Sequence, residues 1–108
     1  MTTESQNTSL SIIIITKDEE TAIYECLNSV SWADEIIVVD ANSSDKTVEI
    51  SKNLGAKIHI TKEWLGFGHQ KNLALNLATK TWILSLDADE IVSSQLKQEI
   101  IQAIQSCL

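Results

Sequence analysis

The amino-acid sequence predicts a single α/β domain, a three-layer sandwich built on a parallel sheet. Short β-branched apolar runs alternate with amphipathic stretches in the order βαβαβαβα. The runs begin at Leu10, Ile36, Lys57 and Trp82, spacings of 21 to 26 residues that accommodate a strand and a crossover helix. Strands so separated run parallel and are joined by right-handed crossovers. The length of 108 residues, 44% of them apolar, supplies one core and not two.

Each element has its own signal. Leu10 to Thr16 reads Leu-Ser-Ile-Ile-Ile-Ile-Thr, apolar on both faces, as a buried parallel strand is. Residues 19–30 place Ile23, Cys26, Leu27 and Val30 at helical spacing. Residues 36–40 form a second apolar strand, and Asn42, Ser43, Ser44 and Asp45 offer N-caps for a helix running to Leu54, with Gly55 suited to its C′ position. Residues 57–61 alternate polar and apolar, the pattern of a strand near the sheet edge. A third helix is expected over 69–78 and a fourth buried strand over 82–86, with Trp82 in the core. Ser93 or Ser94 caps the last helix, whose apolar stripe is Leu96, Ile100, Ala103 or Ile104, and Cys107. The polar residues 1–9 are expected to be a frayed tail, leaving 10–108 as the domain.

Composition narrows the function. Fifteen acids against eight lysines give a net charge of −7, which disfavours nucleic acid and anionic membrane as partners, since both demand clustered cations. Cys26 and Cys107 are far apart and lack metal-ligand spacing, so they imply a reducing compartment without a disulfide framework, and Cys26 reads as plain packing. The N-terminus lacks the basic and apolar regions of a signal peptide, and no apolar run approaches 18 residues.

In an open parallel sheet, ligands bind beyond the carboxyl ends of the strands. Eight of the fifteen acids fall on that rim: Asp18, Glu19, Glu20, Asp40, Asp45, Asp87, Asp89 and Glu90. Two carboxylates 4 Å apart repel by about 4 kcal/mol at an effective dielectric near 20, so the rim requires solvation, protonation or a divalent cation. Acids at such turns also serve as helix caps, which suffices for Asp18, Glu19, Glu20 and Asp45 taken singly. Asp87-Ala88-Asp89, directly after a strand, is a stronger candidate for a ligand site. Gly66 and Gly68 lack the third glycine and preceding strand of a dinucleotide fingerprint. His69 favours a surface or capping role over a phosphate contact, and Trp64 and Phe67 suit either an acceptor-side flap or packing on the third helix.

Four segments in order carry a family resemblance: Ile-Ile-Thr-Lys-Asp-Glu-Glu, Trp-Ala-Asp-Glu-Ile-Ile-Val-Val-Asp-Ala-Asn-Ser-Ser-Asp-Lys-Thr, Trp-Leu-Gly-Phe-Gly-His-Gln-Lys-Asn and Trp-Ile-Leu-Ser-Leu-Asp-Ala-Asp-Glu. Together they resemble the first half of a family-2 glycosyltransferase with the GT-A fold. Within it they resemble the branch that adds glucose to the lipopolysaccharide inner core. The resemblance implies a Rossmann-like half domain with strand order 3-2-1-4. It implies inverting transfer of a hexose, glucose from UDP-glucose being the leading donor, to a lipopolysaccharide-core or other glycan acceptor. The reaction would lie on the cytoplasmic side, peripheral to the inner membrane. By the same resemblance, Thr16 and Glu19 line the base and ribose, Asp40 accepts a hydrogen bond from the uracil, and Lys71 faces the nucleotide. Asp87 and Asp89 form the Asp-x-Asp that holds Mn²⁺ or Mg²⁺ at the diphosphate, and Asp89, like Asp87, belongs to both the nucleotide and the metal site.

The sequence departs from the family where Asp18 replaces an Asn and where Asn42 and Lys46 replace glycines. Asn tolerates left-handed backbone, and Lys46 is costly only where φ must be positive. Family members are more than twice this long, and the acceptor site and catalytic base belong to their second half, so no base is assigned. An Asp-x-Asp half alone would leave the 82–86 strand as an apolar edge prone to self-association. Two other readings stand beside the enzyme: a donor-binding module without turnover, and a phosphoacceptor signalling domain. The latter requires an Asp after its third strand, where this sequence has His59-Ile60-Thr61, and five βα units rather than four.

Overall fold

The computed structural model describes residues 8–107. Strands β1 (Leu10–Thr16), β2 (Glu35–Asp40), β3 (Lys57–Ile60) and β4 (Trp82–Asp87) alternate with helices α1 (Ile23–Ser29), α2 (Thr47–Asn53), α3 (Phe67–Leu77) and α4 (Ser94–Ser106). All strand pairs are parallel, in the order β3-β2-β1-β4, with Ile12 opposite Ile36 and Leu84, and Val38 opposite Ile58. This is the expected three-layer α/β fold and strand order. The expected tail lies mostly outside the described residues, and Ser9 already accepts the Trp82 amide N–H through its carbonyl.

The two faces of β1 explain the layers. Leu10, Ile12 and Ile14 point to one side, where they pack with Ile36, Val38 and Leu86 beneath Ile23, Cys26 and Leu27 of α1, Ile50 and Leu54 around α2, and Ile104 of α4. Ile13 points to the other side, packing with Ile37, Val39 and Ala74 of α3. The chain steps outward from β1 to β3 with α1 and α2 on the first face. It then returns over the second face through α3 to reach β4, as right-handed crossovers demand.

Several boundaries differ from expectation for identifiable reasons. Helix α1 starts at Ile23 rather than residue 19, and the N–H groups of Glu19 and Glu20 ahead of it donate to Thr47 Oγ1 and Asp45 Oδ2 in the neighbouring loop. Helix α3 begins two residues early, at Phe67, behind Gly66 at φ 107°. Gly55, at φ 89°, follows α2 as the sequence predicts, and Ser93 caps α4 by accepting the Leu96 N–H. Strand β4 is not buried: Leu86 is sealed, but Trp82 and Leu84 are half-buried and Ile83 is exposed, because β4 lies at the sheet edge. Of the expected α4 stripe, Ile104 is buried and Ile100 half-buried, whereas Leu96, Ala103 and Cys107 are exposed.

Candidate functional site

A cavity of about 490 Å³ opens where the carboxyl ends of β1 and β4 meet the N-terminus of α3. Ile15, Lys17 and Glu19 line it from β1 and its loop, Asp87, Ala88 and Asp89 from β4, and Trp64 and Phe67 from the segment entering α3. One wall is anionic and the opposite wall aromatic.

Asp40 and Glu90 apart, the acids of the rim divide into two sets. Asp18, Glu20 and Asp45 are consumed by the protein itself. Asp18 Oδ1 accepts the Ser44 N–H at 2.8 Å, Glu20 Oε1 accepts the Lys46 N–H at 3.0 Å, and Asp45 accepts from Thr47 and from the Glu20 N–H. These bonds lace the β1–α1 loop to the β2–α2 loop. The Asp45 carboxyl feels some desolvation, but the hydrogen bonds from Thr47 outweigh it and hold its pKa low. Asp18 and Asn42 adopt left-handed backbone, at φ 54° and 59°, which both residue types tolerate. Lys46 sits at φ −87°, so lysine at that turn carries no strain.

Glu19, Asp87 and Asp89 form the second set and face the cavity. Partial burial raises the Glu19 pKa, and the negative charges of Asp89, Asp45 and Asp18 raise it further. A group strained by its neighbours' charge in this way is poised to gain from a cation.

Thr16 and Asp40, by contrast, do not line the cavity. Asp40 is 0% exposed, accepting from Thr16 Oγ1 and Ser43 Oγ through Oδ1 and from the Ser43 N–H through Oδ2. Thr16 is 1% exposed and its hydroxyl donates a hydrogen bond to Asp40. Both are buried, with their side-chain oxygens bonded to each other and to Ser43. Lys71 is half-buried one turn into α3, its Nζ 4.5 Å from the centroid of the Phe67 ring, at the edge of the aromatic wall.

The structure also shows residues that sequence patterns did not single out. Lys17 lines the cavity while its Nζ donates to the Asn42 carbonyl. Gln70, fully buried, donates to Thr61 Oγ1, and Thr61 in turn donates through its N–H to the Asp40 carbonyl. This chain anchors the base of the aromatic segment to β2. Trp64 and Phe67 stand 6.5 Å apart with their rings inclined at 60°, and both are about half exposed. They belong to the cavity wall rather than to the packing of α3.

Among the described residues no three acidic, histidine or cysteine side chains converge tightly enough to cage a metal ion. Two cavity carboxylates suit Mg²⁺ or Mn²⁺ all the same, because such ions commonly keep one or two carboxylates and complete their shell with substrate phosphates and water.

An open parallel α/β domain binds its ligands beyond the carboxyl ends of its strands, and the paired acids and the aromatic residues of the cavity lie there. Residues 11–106 match Glycosyl transferase family 2, and the chain belongs to that family. It is 49% identical over 92 residues to an uncharacterized glycosyltransferase of Rickettsia typhi, covering 84% of this chain and 31% of the relative. It is 32% identical over 93 residues to the lipopolysaccharide core biosynthesis glycosyltransferase LpsC of Rhizobium meliloti, covering 82% of this chain and 34% of LpsC. The fold is similar to the crystal structure of S. aureus TarS 1-349 in complex with UDP-GlcNAc, with a TM-score of 0.78 and 28% identity over 91% of this chain and 31% of that one. The chain thus spans about a third of the length of these relatives.

Proposed function

We propose that residues 10–108 form the donor-binding part of an inverting glycosyltransferase that takes a UDP-hexose, UDP-glucose foremost, and serves a glycan acceptor of the lipopolysaccharide core. The observation that carries this reading is the cavity in which Asp87, Asp89 and Glu19 face Trp64 and Phe67. The complex of TarS with UDP-GlcNAc supports the donor class, and the name of LpsC supports the acceptor class. Such an acceptor places the reaction at the cytoplasmic face of the inner membrane; no helix among the described residues is long and apolar enough to cross it.

Each cavity residue has a part. Asp87 and Asp89 would hold a divalent cation, Mn²⁺ or Mg²⁺, which would supply neutralising charge for the leaving diphosphate. Glu19 borders the ribose, and Lys71 sets a cation beside the nucleotide. The aromatic wall offers flat apolar surface to a ring of the donor. Thr16 and Asp40 act through the loops they brace. Neither Glu90, turned onto the Asp87 amide, nor Glu35, sealed at the opposite end of β2, is placed to deprotonate an acceptor.

Titration calorimetry of UDP with and without Mn²⁺, repeated on Asp89→Ala, tests the reading. Metal-dependent binding weakened at least about tenfold by the substitution is expected, the loss of a charged partner being worth more than 1.4 kcal/mol. Absence of UDP binding in both conditions would overturn it. Hydrolysis of UDP-glucose then separates a working enzyme from a module that binds without turnover.

A further inference from the structure

Glu90 follows the paired acids, yet it does not line the cavity. Its Oε1 accepts the backbone N–H of Asp87 at 2.8 Å, and its own N–H donates to the Asp87 carbonyl at 3.0 Å. That carbonyl also accepts the Cys26 S–H at 3.5 Å from beneath the sheet. Both backbone groups of Asp87 are therefore held, and the loop between them carries Asp89.

The need for this bond follows from the topology. The Trp82 N–H points toward β1, where it meets the Ser9 carbonyl. Alternation along a strand then turns the N–H of Asp87, five residues on, toward the open side of β4. No neighbouring strand supplies an acceptor there among the described residues. A side chain does so instead, from the far end of a tight turn. Glu90 itself is exposed, so its anion is solvated and the brace demands no buried charge.

We infer that Glu90 is a positioning residue of the donor site: by gripping the Asp87 amide it fixes the turn that aims Asp87 and Asp89 together into the cavity. The inference rests on the donor-site reading above. It assigns Glu90 neither to the metal shell nor to proton transfer.

Glutamine separates these roles, because its carbonyl oxygen still accepts the amide N–H but is a poor replacement for an anionic ligand. Glu90→Gln is expected to bind Mn²⁺ and UDP within about threefold of the wild type, and Glu90→Ala about tenfold more weakly, the worth of one hydrogen bond to a charged group. Hydrogen exchange of the Asp87 amide supplies a readout independent of any ligand: slow in the wild type and in Glu90→Gln, fast in Glu90→Ala. Matching circular dichroism of the three proteins establishes that the fold is retained. Glutamine as damaging as alanine would overturn the inference in favour of a metal ligand, and an Asp87 amide exchanging equally in all three would overturn it outright. If the wild type takes up no UDP while the exchange pattern holds, the donor-site reading fails and Glu90 is reduced to a brace of the turn, which overturns its functional role.

Discussion

Glu35 shows how much one buried polar residue does at the end of the sheet opposite the cavity. Its side chain is 1% exposed, yet it accepts from Ser11 Oγ, from the Thr79 N–H and Oγ1, and from Lys57 Nζ at 2.7 Å. Burial alone would raise its pKa, but these bonds outweigh it and hold the carboxyl at about 2. A native pKa below the unfolded value means that the stabilisation is full above about pH 4.5 and is lost as pH falls toward 2. A shift of that size corresponds to about 3 kcal/mol. Glu35→Gln is expected to lose about that much at pH 7 in urea unfolding, with wild type and variant converging as pH approaches 2. No sequence pattern announces this residue, since its partners come from three separate segments. The same limit applied in the cavity. Asp87 and Asp89 stand out in the sequence because they close an apolar strand, whereas Glu19 is singled out only through the family resemblance. Whether Thr16 and Asp40 face a ligand or a neighbouring loop depended on Ser43, which no spacing rule could place. The cysteine was simpler: Cys26 lies on the apolar stripe of α1, and burial, with the nearby charges of Glu90, Asp89 and Asp87 adding to it, raises its thiol to about 11. It stays an unreactive packing group.

The segment entering α3 is the element on which the aromatic wall depends. Gly66 stands at φ 107° and ψ 150°, a region closed to side chains, although a Cβ built there meets nothing within 4 Å. Its substitution is therefore opposed by backbone strain alone, about 1–3 kcal/mol. Gly68 lies inside the helix with no such φ and equally open space, so alanine there gains helix propensity, up to about 1 kcal/mol. Thermal unfolding of Gly66→Ala and Gly68→Ala should move in opposite directions, and only the first should also disturb the Trp64 fluorescence. At this scale the sequence told the types of all eight elements, because helical and strand periods differ. It misjudged where they start. The segment before α1 is tied down by the Glu19 and Glu20 N–H groups donating to Thr47 and Asp45, and α3 is entered through Gly66 at positive φ; hydrophobic spacing registers neither.

For the whole molecule the decisive asymmetry is between β1 and β4. Both read as apolar strands, but among the described residues β1 has a partner on each side and β4 only on one, so Leu10, Ile12, Ile13 and Ile14 are sealed while Ile83 remains 42% exposed. Periodicity reports which residues can be buried; neighbours decide which are. An edge strand with an exposed apolar face is a template for pairing. Glu90 blunts only its last N–H, at Asp87, leaving the stretch around Ile83 and Ser85 open to a second strand. Two copies meeting there in antiparallel fashion would send their acidic rims to opposite ends, which a chain of net charge −7 favours over side-by-side rims. The chain is therefore expected to associate with rising concentration in sedimentation velocity, and Ile83→Lys, which sets a solvated charge on the exposed face of that edge, to remain monomeric. A wild-type protein that stays monomeric at high concentration would show that the Glu90 cap and the charged rim already suffice to protect the edge.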